Sequence, residues 1–359
     1  MTPDDRPHDP SADGPRTDVI GRADADGPTA SLGRFRARDG SSGAPCRLDV
    51  DGPHAALVVG KRGYGKSYTL GVLAEELSRA SGVAPIVVDP MGVFDGLAAD
   101  GGDVTGCVRS SPSVTADAVP PRAWCEMLGL EPSSGAGALV WQSAAAAGSL
   151  AEMRARASDA DAPAEQRRAA SNHLALADSW GVFAPDGLTA ADIASGAVTV
   201  LDVSGLSEAA MNAVVRAVAA GVYEARVSRS IDRLPWVLVD EAHAFFDGVA
   251  GPALRRLLTR GRHPGVSLVA ATQRPSALPA VAVSQADLVL AHRLTSRADR
   301  EALEAARPTY MGASFAERSP TNPGEITLVD DASEAVHAVR VRERDTVHGG
   351  ASPRASDEN

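Results

Sequence analysis

The chain has 359 residues, of which 44% are hydrophobic and 23% are charged, and these fractions are typical of a globular protein with one or two domains. No apolar run approaches the roughly 18 residues of a membrane span, and the N-terminus has no secretory signal, so we expect a cytoplasmic protein without a membrane segment. The three cysteines, Cys46, Cys107 and Cys125, match no metal-binding spacing and predict reduced thiols without a role.

The charge balance is acidic and poor in lysine. The formal net charge is −11, and Lys61 and Lys66 are the only lysines among 35 lysine and arginine residues. Acidic surface, scarce lysine and abundant aspartate predict a halophilic archaeon as the source. Arginine-biased codon use is the alternative, but it does not explain the aspartate. The charge argues against indiscriminate nucleic-acid binding, although at molar salt the Debye length is about 3 Å and short-range arginine contacts persist.

Composition divides the chain into four segments. Residues 1–27 are rich in Asp, Pro and Gly and predict disorder, and residues 28–53 predict a short β-segment. Residues 54–343 alternate buried strands with helices, which is typical of a mainly parallel α/β sheet, with an Ala-rich helical insertion at about 100–195. Residues 344–359 predict a flexible tail.

Within the α/β segment the elements can be placed from apolar runs and helical periodicity. Strands are expected at 55–59, 85–89, 198–203, 236–240, 266–271 and 288–291, with a terminal hairpin or sheet edge at 325–329 and 335–341. Helices are expected near 66–80, 207–227, 252–262 and 297–306.

The first expected strand is followed by a match to G-x-x-x-x-G-K-[ST] without a mismatch. A helix follows it, so backbone N–H groups of a glycine-rich loop and a helix N-terminus would meet the phosphates of ATP. The predicted nucleotide-binding residues are Gly60, Arg62, Gly63, Tyr64, Gly65, Lys66, Ser67 and Tyr68. We expect Lys66 to contact the β- and γ-phosphates and Ser67 to ligate Mg²⁺. A purely structural glycine-rich turn is the alternative.

A second motif ends the strand expected at 236–240. Four apolar residues run into Asp240 and Glu241, which predicts two carboxylates at the carboxyl end of a buried strand. Asp240 would complete the Mg²⁺ shell and Glu241 would polarise the attacking water. The alternative is a strand that ends in two acids by chance. His243 is expected to pack at the start of the next helix and is not placed in the catalytic set.

A third element follows the strand expected at 266–271. Gln273 stands at its end, where an amide near the γ-phosphate could orient water or sense whether the phosphate has left. An amide that caps the turn is the alternative reading.

These elements, in this order, resemble the HerA/FtsK superfamily of ring-forming DNA-pumping ATPases, and HerA in particular. The likeness includes residues 258–268, 271–276 and 291–295, and residues 87–94 are similar to the family's Asp-Pro-His-Gly-Glu-Tyr segment. It covers most of residues 46–342 and is weak in the insertion.

The resemblance implies a RecA-like P-loop fold and a homo-hexameric ring around double-stranded DNA, with ATP bound between subunits. An arginine from the neighbouring subunit would complete each site. Arg262 is the first candidate by position, followed by Arg260, Arg274 and Arg293. For each of them the alternative is a solvated or paired surface arginine.

Two departures from the family pattern bear on function. The family's N-terminal β-barrel is reduced to residues 28–53, which puts the docking of a partner nuclease in question. Met91 and Val93 replace the usual His and Glu, which predicts slower turnover if that Glu takes part in hydrolysis.

The sequence therefore predicts an ATP-hydrolysing DNA translocase or helicase-like motor in DNA repair or end processing. Two alternatives stay open: a slow ATP-dependent switch or assembly scaffold that moves nothing, and a conjugation-type DNA-transfer ATPase.

Overall fold

The computed structural model describes residues 18–21, 27–37, 39–99, 103–305 and 318–350. Most of the segment expected to be disordered, and residues 351–359 of the expected tail, lie outside these residues. In the part of the chain that is described, no helix is both long and apolar enough to cross a bilayer.

Twelve strands of the described chain form one sheet. They are β1 (Asp18–Ile20), β2 (Thr29–Arg36), β3 (Ser42–Asp49), β4 (Ala55–Val59), β5 (Val83–Asp89), β6 (Gly106–Ser110), β7 (Val198–Asp202), β8 (Leu234–Val239), β9 (Ser267–Thr272), β10 (Leu288–Ala291), β11 (Glu325–Asp330) and β12 (Ala335–Val341). The spatial order is β1-β3-β2-β12-β11-β10-β4-β9-β8-β5-β7-β6.

The helices flank this sheet or form the insertion. They are α1 (Lys66–Arg79), α2 (Pro121–Met127), α3 (Gly135–Ala146), α4 (Leu150–Asp159), α5 (Ala164–Asp178), α6 (Ala190–Ile193), α7 (Glu208–Val227), α8 (His243–Phe246), α9 (Gly251–Arg260), α10 (Ala280–Ser284) and α11 (Arg297–Ala305).

The seven strands from β10 to β6 are parallel, and this part of the sheet is the centre of the fold. β4, β5 and β9 are buried along their whole length, as expected for parallel strands covered on both faces. On one face α1 buries Leu70, Leu73 and Leu77. Because the strands are parallel, the carboxyl ends of β4, β8 and β9 lie at the same edge, where the candidate site is built.

The predicted α/β fold with a mainly parallel central sheet is confirmed, but the parallel part contains one strand that the sequence did not predict. β6 pairs in parallel with β7 at the end of the sheet and lies inside the segment expected to be helical. In β6, Arg109 and Ser110 are exposed and only Val108 is β-branched. The sequence of β6 therefore lacks the buried apolar pattern that would predict a strand. The rest of that segment contains α2 to α5, which pack around Trp124 and Leu174.

The N-terminal β-segment continues the same sheet instead of forming a separate barrel. β2 and β3 form an antiparallel pair, and β2 pairs with β12, so the terminal hairpin β11–β12 is internal rather than an edge. β1 corrects the expectation of disorder for part of residues 1–27, because it pairs in parallel with β3. A three-residue strand is too short to show a pattern in the sequence.

Residues 344–350, expected in a flexible tail, pack along α1. Arg344 is only 1% exposed and Thr346 donates to the buried carboxylate of Glu75. The sequence does not show that Glu75, a buried acid on α1, pairs with residues about 270 positions further along the chain. It therefore predicts a tail for this segment.

Candidate functional site

The loop between β4 and α1 depends on glycine at positions where other residues are strained. Gly60, Gly63 and Gly65 have φ angles of 155°, 80° and 106°. At Gly60 a Cβ would also lie 2.5 Å from the Cβ of His292, which is buried beneath the loop. The loop is therefore held close against β10, and its glycines allow successive backbone N–H groups to surround an anion.

Lys66 begins α1 and its ammonium is largely shielded from water. Its side chain is 6% exposed, and Nζ donates to the backbone oxygen of Lys61 at 3.4 Å. Burial lowers the pKa of Lys66, against the opposing charges of Glu241 and Asp240. An ammonium with one long hydrogen bond is a favourable partner for a phosphate oxygen.

Ser67 and Asp240, the two predicted Mg²⁺ ligands, contact each other. Ser67 Oγ donates to Asp240 Oδ2 at 2.6 Å, and Asp240 Oδ1 accepts from the N–H of Glu241 at 2.9 Å. Asp240 is 1% exposed, and burial raises its pKa. Mg²⁺ is usually held by one or two carboxylate or hydroxyl oxygens together with substrate phosphates, and this pair fits that pattern. The described residues contain no cluster of three or more His, Cys, Asp or Glu side chains that would suit a different metal.

Glu241 has a backbone conformation that costs energy, and one oxygen of its carboxylate is buried. Its φ is 45°, which is unusual for a residue other than glycine. Oε2 is buried without a hydrogen bond among the described residues, at 3.4 Å from His243 Nδ1. Burial raises the pKa of Glu241, which makes its carboxylate a better proton acceptor.

The neighbouring strand β9 ends at Thr272, directly before Gln273. The hydroxyl of Thr272 lies 3.2 Å from His243 Nδ1 and joins the ends of β8 and β9. His243 is the first residue of α8, in accordance with the packing expected for it. Gln273 is half-buried in the turn after β9 and does not line the cavity described next, so its predicted contact with a γ-phosphate stays a prediction.

A cavity of about 200 Å³ unites most of the predicted nucleotide-binding and catalytic residues. Its lining consists of Arg62, Gly63, Gly65, Lys66, Ser67, Tyr68, Met91, Val93, Asp240, Glu241, His348 and Gly350. Gly60 and Tyr64 are outside it, because Gly60 packs on His292 and the Tyr64 ring faces Lys61, whose Nζ is 4.6 Å from the ring centre.

Several of these lining residues were absent from the predicted site. Met91 and Val93 are held there by Asp89, whose carboxylate accepts from the N–H groups of Met91, Gly92 and Phe94 at 2.8 to 3.0 Å. Burial raises the pKa of Asp89 to about 6. An aspartate that ends a strand and is followed by Pro and Gly is the local signal for this turn. His348 and Gly350 had no such signal.

The four candidate arginines lie at opposite edges of the sheet. Arg262 follows α9 at the amino edge, where it forms an ion pair with Asp287 at 2.9 Å, and Arg260 ends the same helix. Arg293 follows β10 at the phosphate-loop edge, and Arg274 follows β9 there. The N–H of Lys61 donates to the backbone oxygen of Arg293, whose guanidinium is 3.5 Å from the Tyr64 hydroxyl. Arg262 therefore cannot reach the phosphate loop of its own chain.

No protein-family model and no curated protein matches the chain. Among solved structures, VirB4 of Thermoanaerobacter pseudethanolicus superposes with a TM-score of 0.65 and 17% identity, covering 89% of this chain and 97% of that chain. The bacterial conjugative coupling protein TrwBΔN70 superposes with a TM-score of 0.57 and 16% identity, covering 87% and 89%. The sulphate complex of the same protein superposes with a TM-score of 0.55 and 16% identity, covering 82% of this chain and 88% of that chain. At this level of identity the likeness establishes the fold, and the chain has the RecA-like P-loop fold that the sequence predicted.

Proposed function

We propose that the chain is an ATP-hydrolysing, DNA-translocating motor of the HerA/FtsK type that works as a hexameric ring. The observation that carries the proposal is the 2.6 Å contact between Ser67 Oγ and Asp240 Oδ2, with Glu241 and Lys66 lining the same cavity. A glycine-rich loop alone binds phosphate, whereas this set also contains a hydroxyl–carboxylate pair suited to Mg²⁺ and a half-buried carboxylate suited to act as a base.

The chemistry follows from these positions. The loop N–H groups and Lys66 hold the β- and γ-phosphates and neutralise their charge. Ser67 and Asp240 would hold the Mg²⁺ ion, which would draw charge from the phosphate oxygens when bound. Glu241 lines the cavity, where it orients the attacking water and accepts its proton.

Arg262 supports a shared site and hence a ring. It lies at the edge of the sheet opposite its own phosphate loop, so it can complete only a neighbour's site. A head-to-tail arrangement of this kind closes into a ring when the rotation between subunits is right. An arginine supplied in this way raises the rate of phosphoryl transfer by roughly 10³- to 10⁵-fold.

Two further readings have specific support. The likeness to the conjugative coupling protein favours a conjugation-type DNA-transfer ATPase as the second candidate. Met91 and Val93 in the cavity offer neither acid nor base and favour the slow switch or scaffold as the third. A role in DNA repair or end processing, and a partner nuclease, rest only on the resemblance to HerA noted in the sequence.

The test is the ATPase rate with and without linear duplex DNA, at low and at molar salt, together with the mass of the particle in solution. We expect stimulation by DNA, and a mass near six times the 36.9 kDa of the chain. Lys66→Ala should abolish both ATP binding and hydrolysis. Slow turnover that ignores DNA, by a monomer, would favour the switch over the motor.

A further inference from the structure

Beyond β12 the chain crosses the phosphate-loop helix and returns to the candidate site. We call residues 342–350 the strap. Arg342 follows directly after β12, the middle of the strap lies against α1, and His348 and Gly350 line the cavity. Among the described residues, the strap is therefore the one segment that reaches this cavity from outside the parallel sheet, its loops and α1.

The strap is fixed to α1 by a carboxylate that has no contact with water. Glu75 is 0% exposed, and it accepts from Arg342 Nη2 at 2.7 Å and from the hydroxyl of Thr346 at 2.6 Å. The N–H of Thr346 donates to the same carboxylate at 2.9 Å, and Arg344 Nε lies 3.5 Å away. A buried charge is stable only when it is paired and fully hydrogen-bonded, so this contact specifies where the strap lies.

Glycine in α1 makes room for this attachment. A Cβ at Gly71 would lie 2.5 Å from Cζ of Arg344, so a larger residue there would displace the guanidinium. Glycine in a helix interior costs roughly 1 kcal/mol relative to alanine, and here that cost permits the strap to lie against the helix.

Two positions of the strap, Arg344 and His348, contact Tyr68, the residue after Ser67. The Tyr68 hydroxyl accepts from the N–H of Arg344 at 2.6 Å, and its ring is edge-on to the His348 ring at a centroid distance of 5.5 Å. The N–H of Gly349 donates to the backbone oxygen of Val93 at 3.3 Å. The strap thus joins α1 to the turn after β5 at the cavity.

The cavity lining falls into two chemical classes. Lys66, Ser67, Asp240 and Glu241 are charged or polar and suit phosphate, metal and water. Tyr68, Met91, Val93 and His348 are aromatic or apolar and offer no cation to a phosphate. Arg344 Nη1 lies 3.2 Å from His348 Nδ1, and burial, followed by the charge of Arg344, lowers the pKa of His348, which favours the neutral ring. Flat neutral rings beside aliphatic side chains are the surroundings that nucleic-acid bases prefer.

We propose that the strap forms the base-binding wall of the nucleotide site, with His348 and Tyr68 contacting the nucleobase and Glu75 acting as the positioning residue that holds the strap in place. This inference rests on the proposed ATP-binding function and adds the segment that recognises the base. The phosphate loop then binds the triphosphate, and the strap distinguishes a nucleotide from inorganic polyphosphate.

The test compares two ligands, ATP and inorganic tripolyphosphate, by calorimetry with Mg²⁺ present. His348 is half-buried near the end of the chain, so His348→Ala should keep the fold. It should weaken ATP binding about tenfold and leave tripolyphosphate binding unchanged, because loss of one aromatic contact to a base removes an interaction of that size. His173→Ala, on α5 and not part of the cavity lining, is the matched control.

Tyr68 supplies a second variant. Tyr68→Phe keeps the ring and should retain most ATP affinity, whereas Tyr68→Leu should reduce ATP affinity and spare tripolyphosphate. The inference is overturned if His348→Ala binds ATP as wild type does, or if both ligands weaken equally. If wild type binds neither ligand, or if Lys66→Ala binds both normally, the proposed function itself fails.

Discussion

Arg262 and Asp287 form an ion pair of 2.9 Å at the amino edge of the sheet, where Asp287 also accepts from the N–H of Ala55 at the start of β4. The strand that leads to the phosphate loop therefore begins beside the carboxylate that holds Arg262. The Arg262 side chain is 60% exposed, so it is available to a neighbouring subunit while Asp287 positions it.

Loss of Arg262 should stop turnover without affecting ATP binding. Arg262→Ala should lower the hydrolysis rate by about 10³-fold, since the charge that develops on the transferred phosphoryl group is no longer neutralised. Arg297→Ala is the control, because the Arg297 side chain is 87% exposed and forms an ion pair with Glu301, four residues along α11. Single-turnover hydrolysis and nucleotide binding measure the two effects separately.

Mixing two inactive variants distinguishes an arginine supplied by a neighbour from one supplied in the same chain. Rings assembled from Arg262→Ala and Glu241→Gln subunits in equal amounts should regain activity at roughly a quarter of their interfaces, where an intact Glu241 meets an intact Arg262. No recovery in mixed rings, with each variant inactive alone, would argue against Arg262 as the shared residue.

The same edge of the sheet contains a buried histidine that should make stability depend on pH. His54 is 6% exposed; Nδ1 is 2.7 Å from Asp287 and Nε2 is 3.7 Å from Asp49. Burial disfavours the imidazolium, but the two carboxylates outweigh it and raise the pKa of His54 to about 9. The pKa of His54 is about 6.5 in the unfolded chain and higher in the fold, so protonation of His54 stabilises the fold. This stabilisation is complete below about pH 6.5 and is lost as pH rises through about 9.

Between pH 6 and pH 10, wild type should therefore lose about 3 kcal/mol more of its free energy of unfolding than His54→Gln does. Urea denaturation at the two pH values measures this difference, with His173→Gln as the control. Parallel pH dependence in wild type and His54→Gln would contradict the account of this ion pair.

Replacing glycine by alanine should lower the free energy of unfolding at Gly60 and raise it at Gly221. Gly60→Ala places a methyl group 2.5 Å from the His292 Cβ at a φ of 155° and should cost at least about 2 kcal/mol. Gly221→Ala, in α7 with nothing within 4 Å of the new Cβ, should stabilise by roughly 0.5 to 1 kcal/mol. Urea midpoints report both, and equal midpoints would refute the packing described at Gly60.

The sequence predicted features whose residues are close together in the chain, and it did not predict contacts between residues that are far apart in it. The phosphate loop with β4 and α1, and the Asp240–Glu241 pair after β8, are local patterns, and the parallel sheet brings their ends together. The contacts that sequence analysis missed join distant residues: His54 to Asp287 across 233 positions, and Glu75 to Thr346 across 271. Neither leaves a local pattern, and β6 and β1 were missed because short exposed or terminal strands carry little hydrophobic signal.

The most direct test of the central claim is ATP hydrolysis by Glu241→Gln beside wild type, with ATP binding measured on the same samples. Gln keeps the size of the side chain but cannot accept the proton of the attacking water. The account predicts unchanged ATP binding and hydrolysis slower by at least about 10²-fold. Hydrolysis at the wild-type rate by Glu241→Gln would contradict it.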